Sequence, residues 1–262
     1  MRSIIRSKPF RALCAALFWL AVWQLLYRAV GRDVLIASPM QVAARIVRWV
    51  TQPAYWSMIG TTIGRILIGF AAALAAGTLL AAATAISAVA RVLLAPLIRV
   101  VRAVPVASFI ILVLVWVPTP HVPTLIVALT VTPIVWENLT RGIAETDRNL
   151  LEMAQVYRFS AGKRLRWVYV PAVLPYFAAA CSTGMGFAWK SGIAAEVIAV
   201  TRASIGGQIY NSKIYLETAD LFAWTAIVLV ISLLIDRLMK CALRRLTPGE
   251  DDHAESWIVR DF

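Results

Sequence analysis

Runs of apolar residues long enough to cross a bilayer as helices, about 20 residues each, recur along this chain of 262 residues. A helix is the open backbone structure that satisfies its own hydrogen bonds where water is absent. The chain is 60% hydrophobic and 15% charged, with a mean hydropathy of +0.75, which is more apolar surface than a soluble domain hides in one core. We therefore predict an all-α membrane protein.

We predict six transmembrane helices in a single membrane domain, residues 1–246. The predicted spans are residues 10–30, 57–86, 92–117, 122–140, 173–200 and 221–241. The first run is long and no small-x-small cleavage site follows it, so an uncleaved span is favoured over a signal peptide. Residues 247–262, with five acidic residues among the last thirteen, are predicted to form a solvated tail.

The basic residues are divided unevenly between the two sides of the predicted spans. The side that carries the N-terminus has 18 of the 26 Lys and Arg, the other side has six, and two lie within spans. Because cytoplasmic loops carry the basic excess, we predict that both termini and the long loop 141–172 are cytoplasmic. The net charge of +12 is explained in this way without a nucleic-acid partner.

Two short amphipathic helices are predicted outside the spans. On the outer side, Ser38 is an N-cap, Pro39 fits the first helical position and Gln41 completes a capping box. The apolar stripe of this outer helix would be Val42, Ile46, Trp49 and Val50.

In the cytoplasmic loop, Asp147 can cap a helix that begins at Arg148. Its apolar residues, at helical spacing, are Leu150, Met153, Ala154 and Tyr157. This stripe either rests on the chain's own spans or docks on a partner protein. A turn at residues 160–162, a second short helix and a new helix start near Pro171 are predicted to follow.

Ionisable groups inside spans are costly and are therefore functional candidates. Arg65, Lys190 and Glu196 are candidates for the translocation pathway, with an interhelical salt bridge as the alternative. Glu137, at the cytoplasmic end of its span, is a weaker candidate. Small residues recur every four positions in the second and fifth predicted spans, so close contact between helices is also predicted. This spacing does not decide which face of a helix packs. The small residues are Gly69, Ala73, Gly77 and Ala81, which follow Arg65, and Gly184, Ala188 and Gly192, which precede Glu196.

Neither a metal site nor an enzyme active site is predicted. The cysteines and histidines are far apart in sequence, without metal-ligand spacing, and no Ser/His/Asp set gathers at a bilayer face. A GxxxxGK[ST] phosphate loop does not occur in the sequence, so the chain is not expected to hydrolyse ATP or to hold a cofactor.

The cytoplasmic loop resembles the EAA motif of ABC importer permeases. Glu152-Met153-Ala154 is followed after three residues by Arg158, where the family has glycine, and nine residues later by an apolar-x-apolar-Pro sequence that ends at Pro171. A non-glycine residue at positive φ costs about 1 kcal/mol. We therefore expect either that the backbone at Arg158 is not left-handed or that the turn has moved to Gly162.

The resemblance covers nearly the whole chain and is strongest to the nitrate, sulfonate and taurine permease group. The segments that carry it, in order, are IASPMQVAARI, TTIGRILIGF, RAVPVAS, GFAWKSGIAAEVIAV and ASIGGQIY. It implies the type I importer permease fold in a bacterial inner membrane and an external solute-binding protein. It also implies a second copy of the permease and a cargo such as a nitrate-, sulfonate- or taurine-like anion or a vitamin precursor.

The resemblance further implies that the loop couples the permease to a separate ATPase subunit, which binds the ATP and Mg. The coupling residues carried over are Asp147, Leu150, Glu152, Met153, Ala154, Tyr157, Arg158, Gly162 and Pro171. The alternative is a stand-alone ion- or proton-coupled secondary transporter with Glu196 and Lys190 as its coupling pair. Transport in vesicles without an ATPase would favour that alternative.

Overall fold

The computed structural model describes residues 8–244, and every regular element in that range is helical. The all-α prediction is therefore confirmed, whereas the predicted tail at 247–262 lies outside the described residues. The helices are α1 Lys8–Val30, α2 Pro39–Val50, α3 Pro53–Ile86, α4 Ala88–Ala103, α5 Val106–Val113, α6 Val122–Ala144, α7 Arg148–Val156, α8 Ala161–Arg164, α9 Val170–Ile198, α10 Ile205–Ile214 and α11 Thr218–Arg244. A 3-10 turn, Thr119–His121, precedes α6, and a π-helical turn, Leu165–Tyr169, joins α8 to α9.

Four stretches of the described chain are helical, long and apolar enough to cross a bilayer. They are Pro53–Ile86, Thr119–Ala144, Ala161–Ile198 and Thr218–Leu243. These stretches contain nearly all of the second, fourth, fifth and sixth predicted spans. The apolar part of α1 that the structure describes, Cys14–Val30, is shorter, so the count of six crossings stays a prediction.

The third predicted span, residues 92–117, is divided between two helices, α4 and α5. Helices α4 and α5 meet at an angle of 100°. Pro105 lacks a backbone N–H and disfavours a helical conformation in the residue before it. Val104 is accordingly extended, with φ −75° and ψ 130°.

The core is formed where α3, α6 and α9 pack along one another. The predicted small-residue stripes lie in these contacts. A Cβ added to Gly69 would lie 2.4 Å from the carbonyl oxygen of Thr124, and one added to Gly192 would lie 2.6 Å from the side chain of Ile66. Because small residues allow helix backbones to approach closely, these positions set the spacing of the three helices.

The end of the molecule opposite the loop 141–172 is formed by α2, α10 and the start of α11. The predicted capping box is confirmed, because the Ser38 hydroxyl accepts from the Gln41 N–H and the Gln41 side chain accepts from the Ser38 N–H. The rings of Trp49 and Trp224 stack with centroids 4.8 Å apart. The apolar stripe of α2 thus packs on α11.

Candidate functional site

Helix α7 lies in the loop 141–172 and presents a mostly uncovered apolar stripe. Its predicted cap is confirmed, because the Asp147 carboxylate accepts a hydrogen bond of 2.8 Å from the Asn149 N–H. Ala154 is buried, whereas Leu150 is 41% and Tyr157 is 72% exposed. The stripe is therefore covered at Ala154, in its middle, whereas the described residues leave the side chains on both sides of Ala154 largely exposed.

Arg158 ends α7 in the left-handed conformation, with φ 50°. Its N–H donates to the Gln155 carbonyl at 3.0 Å, and the Phe159 N–H donates to the Ala154 carbonyl at 2.8 Å. These two bonds form a Schellman motif, which usually has glycine at the position that Arg158 occupies. Both expectations for this position were wrong, because the backbone is left-handed at Arg158 and Gly162 lies within α8.

Replacing Arg158 with glycine should raise the stability of the loop by up to about 1 kcal/mol, because glycine adopts positive φ without a steric cost. A thermal unfolding curve of the purified chain in detergent measures this change. Gln155→Gly, inside α7, is the control and should lower the midpoint. A lower midpoint for Arg158→Gly would mean that the arginine side chain makes a stabilising contact that outweighs the strain.

Beyond Arg158 the chain forms one helical rod that runs into the membrane domain. Ser160 caps α8, and α9 begins at Val170 with Pro171 in its first turn, so the second short helix and the helix start near Pro171 are confirmed. The change of direction lies at Arg158, ahead of the predicted turn. Because Pro171 has no N–H to continue an α-helical ladder, the π-helical turn Leu165–Tyr169 joins the two helices.

A groove with a volume of about 420 Å³ lies between α7 and this rod. The side chains of Met153 and Trp167 that line it are 40% and 67% exposed. Ala154 and Val168, which belong to the two ends of the EAA-like motif, are both buried. The lining residues are Leu150, Met153, Phe159, Lys163, Trp167 and Val168.

Glu196 is completely buried at the junction of α3, α9 and α10. Its Oε2 accepts from the Thr62 hydroxyl at 3.0 Å and from the Gly206 N–H at 3.1 Å. Its Oε1 lies 3.5 Å from Nη1 of Arg65. Thr62 in turn accepts from the Ile205 N–H at 3.0 Å, so this Glu196 cluster joins α10 to the two spans.

The structure separates the two predicted partners of the secondary-transporter hypothesis. Lys190 is exposed, whereas Glu196 has no exposed surface, and the ion pair found for Glu196 within residues 8–244 is with Arg65. The small-residue face of α9 is the packing face. For Arg65 and Glu196 the geometry therefore favours the interhelical salt bridge, and Lys190 lies on the open side of α9.

Thr62 and Gly206 belong to the Glu196 cluster, although the sequence reasoning assigned neither of them a role. A Cβ at Gly206 would lie 2.3 Å from Cβ of Glu196, so glycine is needed where α10 meets α9. The paired glycines after Ser204 were the available signal, since a helix start with two glycines indicates a close backbone approach. Thr62 carried no such signal, because threonine is common in membrane helices.

Comparison with known proteins gives relatives over most of the chain. The chain is 26% identical over 194 residues to the taurine transport system permease protein of Escherichia coli, covering 74% of this chain and 70% of that protein. It is 25% identical over 262 residues to the nitrate import permease protein of Synechocystis, covering 94% and 92%. The resemblance to this group of permeases is confirmed.

Solved structures and a family profile agree with these relatives. A chain of an amino acid ABC transporter shares the fold with a TM-score of 0.61 at 19% identity, over 74% of this chain and 94% of that one. The profile of the family described as "binding-protein-dependent transport system inner membrane component" matches residues 73–248. Because this match covers more than half of the sequence, the chain belongs to that family of ABC importer permeases.

Proposed function

We propose that this permease imports a small solute by coupling to a separate ATPase subunit, with α7 as the coupling helix. The observation that carries this proposal is the apolar surface of α7 and its groove. An exposed apolar surface at the membrane-domain end where cytoplasmic loops are predicted is suited to receive another protein.

The connection from α7 to the membrane helices supports a mechanical role. Ala154 and Val168 are buried, and α7 contacts the π-helical turn. The stretch Ala161–Ile198 continues without a break toward the Glu196 cluster. A displacement of α7 by the ATPase would therefore move a rod that reaches the outer half of the protein, as rigid-body switching requires.

The remaining parts of the mechanism follow from family membership. ATP and Mg would be bound by two ATPase subunits, whose closure would move the α7 helices of two permease copies. An external binding protein would deliver the solute to the outer mouth. The relatives are taurine and nitrate permeases, so we propose a small oxyanion or sulfonate as the solute.

Glu152 gives the direct test of docking. Its side chain is exposed on α7, and ion pairs of Glu152 are absent within residues 8–244. We expect Glu152→Lys to insert in the membrane normally but to lose at least ~90% of the ATPase that co-purifies, because charges of one sign facing each other across an interface cost several kcal/mol. The measurement is the ATPase-to-permease ratio after affinity purification of the co-expressed pair.

Glu217→Lys is the matched control, because Glu217 is an exposed glutamate at the junction of α10 and α11, on the opposite end of the protein from α7. It should leave the ratio unchanged. An unchanged ratio for Glu152→Lys as well would remove Glu152 from the contact. Solute uptake by vesicles that contain the permease alone would contradict the proposed dependence on an ATPase.

A further inference from the structure

A cavity of about 430 Å³ lies between the last turns of α4 and α6, away from α7 and its groove. It is open to the surface, and both helices contribute polar groups to its wall. The residues that line it are Ile98, Arg99, Arg102, Pro133, Trp136, Glu137, Thr140, Arg141 and Ala144.

The connections of α4 place this cavity at the cytoplasmic end of the bundle. Helix α4 starts at Ala88, directly after α3 ends at Ile86. At its other end, Arg102 is paired with Glu137, which lies two turns before the end of α6. Both ends of α4 are therefore at the level of the predicted cytoplasmic loops, and a solute in the cytoplasm can reach the cavity.

The charge in the cavity is strongly positive. Three arginines and one glutamate line it, and Glu137 is already paired with Arg102. For Arg99 and Arg141, the described part of the chain provides no carboxylate within ion-pair distance. Two guanidinium groups thus face the same space with their charge uncompensated.

A buried hydroxyl adds a second feature of a binding site. The Oγ1 atom of Thr140 is inaccessible to solvent and makes no hydrogen bond within the described residues. Buried polar groups nearly always have partners, and leaving one unsatisfied costs free energy. Thr140 lines the cavity, so a rotation of its side chain toward the cavity would let an acceptor bound there take its hydrogen bond.

We propose that this cavity binds a small oxyanion, of the sulfate, sulfonate or phosphate class. Guanidinium groups donate paired hydrogen bonds to the oxygens of such anions, and the Thr140 hydroxyl can donate one more. The anion comes either from solution or from the headgroup of an anionic lipid. The site does not depend on which solute the permease carries, nor on the docking of α7.

The test uses the full chain in nanodiscs of zwitterionic phosphatidylcholine, without ATPase, and radiolabelled sulfate at constant ionic strength. Wild type should bind one sulfate per chain saturably. Arg99→Gln and Arg141→Gln should each weaken binding by ~10- to 100-fold, the value of a lost hydrogen bond to a charged group. Thr140→Val should weaken it by ~5-fold or more on the same grounds, and Arg99→Lys should weaken it less than Arg99→Gln.

Arg166→Gln is the matched control, because Arg166 lies in the π-helical turn outside the cavity. It should bind sulfate as wild type does. The same measurements in nanodiscs that contain phosphatidylglycerol distinguish a lipid headgroup from a free anion. A headgroup in the site would lower the affinity for sulfate and would appear in native mass spectra as one lipid retained by wild type. Arg99→Gln should not retain that lipid. The proposal would be overturned if wild type showed neither saturable sulfate binding nor a retained lipid, or if Arg99→Gln and Arg141→Gln bound sulfate as tightly as wild type.

Discussion

Replacing Glu196 with alanine should lower the free energy of unfolding by about 3–5 kcal/mol, the cost of breaking a buried ion pair by removing one partner. The Arg65 guanidinium would lose its carboxylate and the Gly206 N–H would lose its acceptor. Because α10 is held to the spans through this cluster, we also expect α10 to become accessible to protease. The measurements are denaturant unfolding in mixed micelles and limited proteolysis.

Two control variants distinguish the contribution of the buried hydrogen bonds of Glu196 from the effect of removing a carboxylate alone. Glu196→Gln keeps an oxygen that can accept from Thr62 and Gly206, so it should lose less than half of the alanine effect. Glu137→Ala removes the partner of Arg102 in a pair whose side chains are 64% and 42% exposed, and exposed pairs contribute about 1 kcal/mol or less. Equal losses for Glu137→Ala and Glu196→Ala would show that burial does not strengthen the cluster.

Gly69→Val should prevent the close packing of α3 on α6. The added Cβ would lie 2.4 Å from the Thr124 carbonyl oxygen and 2.9 Å from Cβ of Val127. The Thr124 carbonyl belongs to the backbone and cannot adopt another rotamer as a side chain could, so the two helices must separate. Overpacking of this kind costs about 3 kcal/mol or more, and we expect the variant to be recovered mainly as aggregate on size-exclusion chromatography.

Gly60→Val is the matched control on the same helix. A Cβ at Gly60 meets nothing within 4 Å among the described residues, so the same substitution there should leave the yield of monodisperse protein unchanged. If both variants behave like wild type, the close approach of α3 and α6 at Gly69 is not required for assembly.

The sequence was sufficient to predict most of the helices, since apolar length and caps such as Ser38 and Asp147 depend on local chemistry. It also indicated that two stripes of small residues would pack. The packing face of α9 could not be chosen, because a helical wheel places Glu196 and Lys190 apart without saying which one meets α3. That choice depends on Thr62 and Gly206, which are distant in sequence.

Arg158 shows why left-handed positions resist prediction from residue type. It occupies the glycine position of a Schellman motif, as do Val200 and Leu216, with φ of 50° and 56°. At Val200 the Thr201 N–H donates to the Glu196 carbonyl, and at Leu216 the Glu217 N–H donates to the Ser212 carbonyl. Hydrogen bonds and tertiary packing thus offset a local preference of about 1 kcal/mol, and the sequence does not reveal where this happens.

The bend at Pro105 has a consequence for what surrounds this subunit. With eight residues, α5 rises about 12 Å, less than half of the ~30 Å hydrocarbon layer, and it is followed by the turns at residues 114–121 that lead to α6. Irregular backbone is tolerated at that depth only beside other protein or beside water. The breaks on either side of α5, at residues 104–105 and 114–121, are therefore expected to lie beside protein or water rather than lipid tails, and the chain supplies part of that protein where Ile110 and Val113 pack with Val122 and Ile126 of α6.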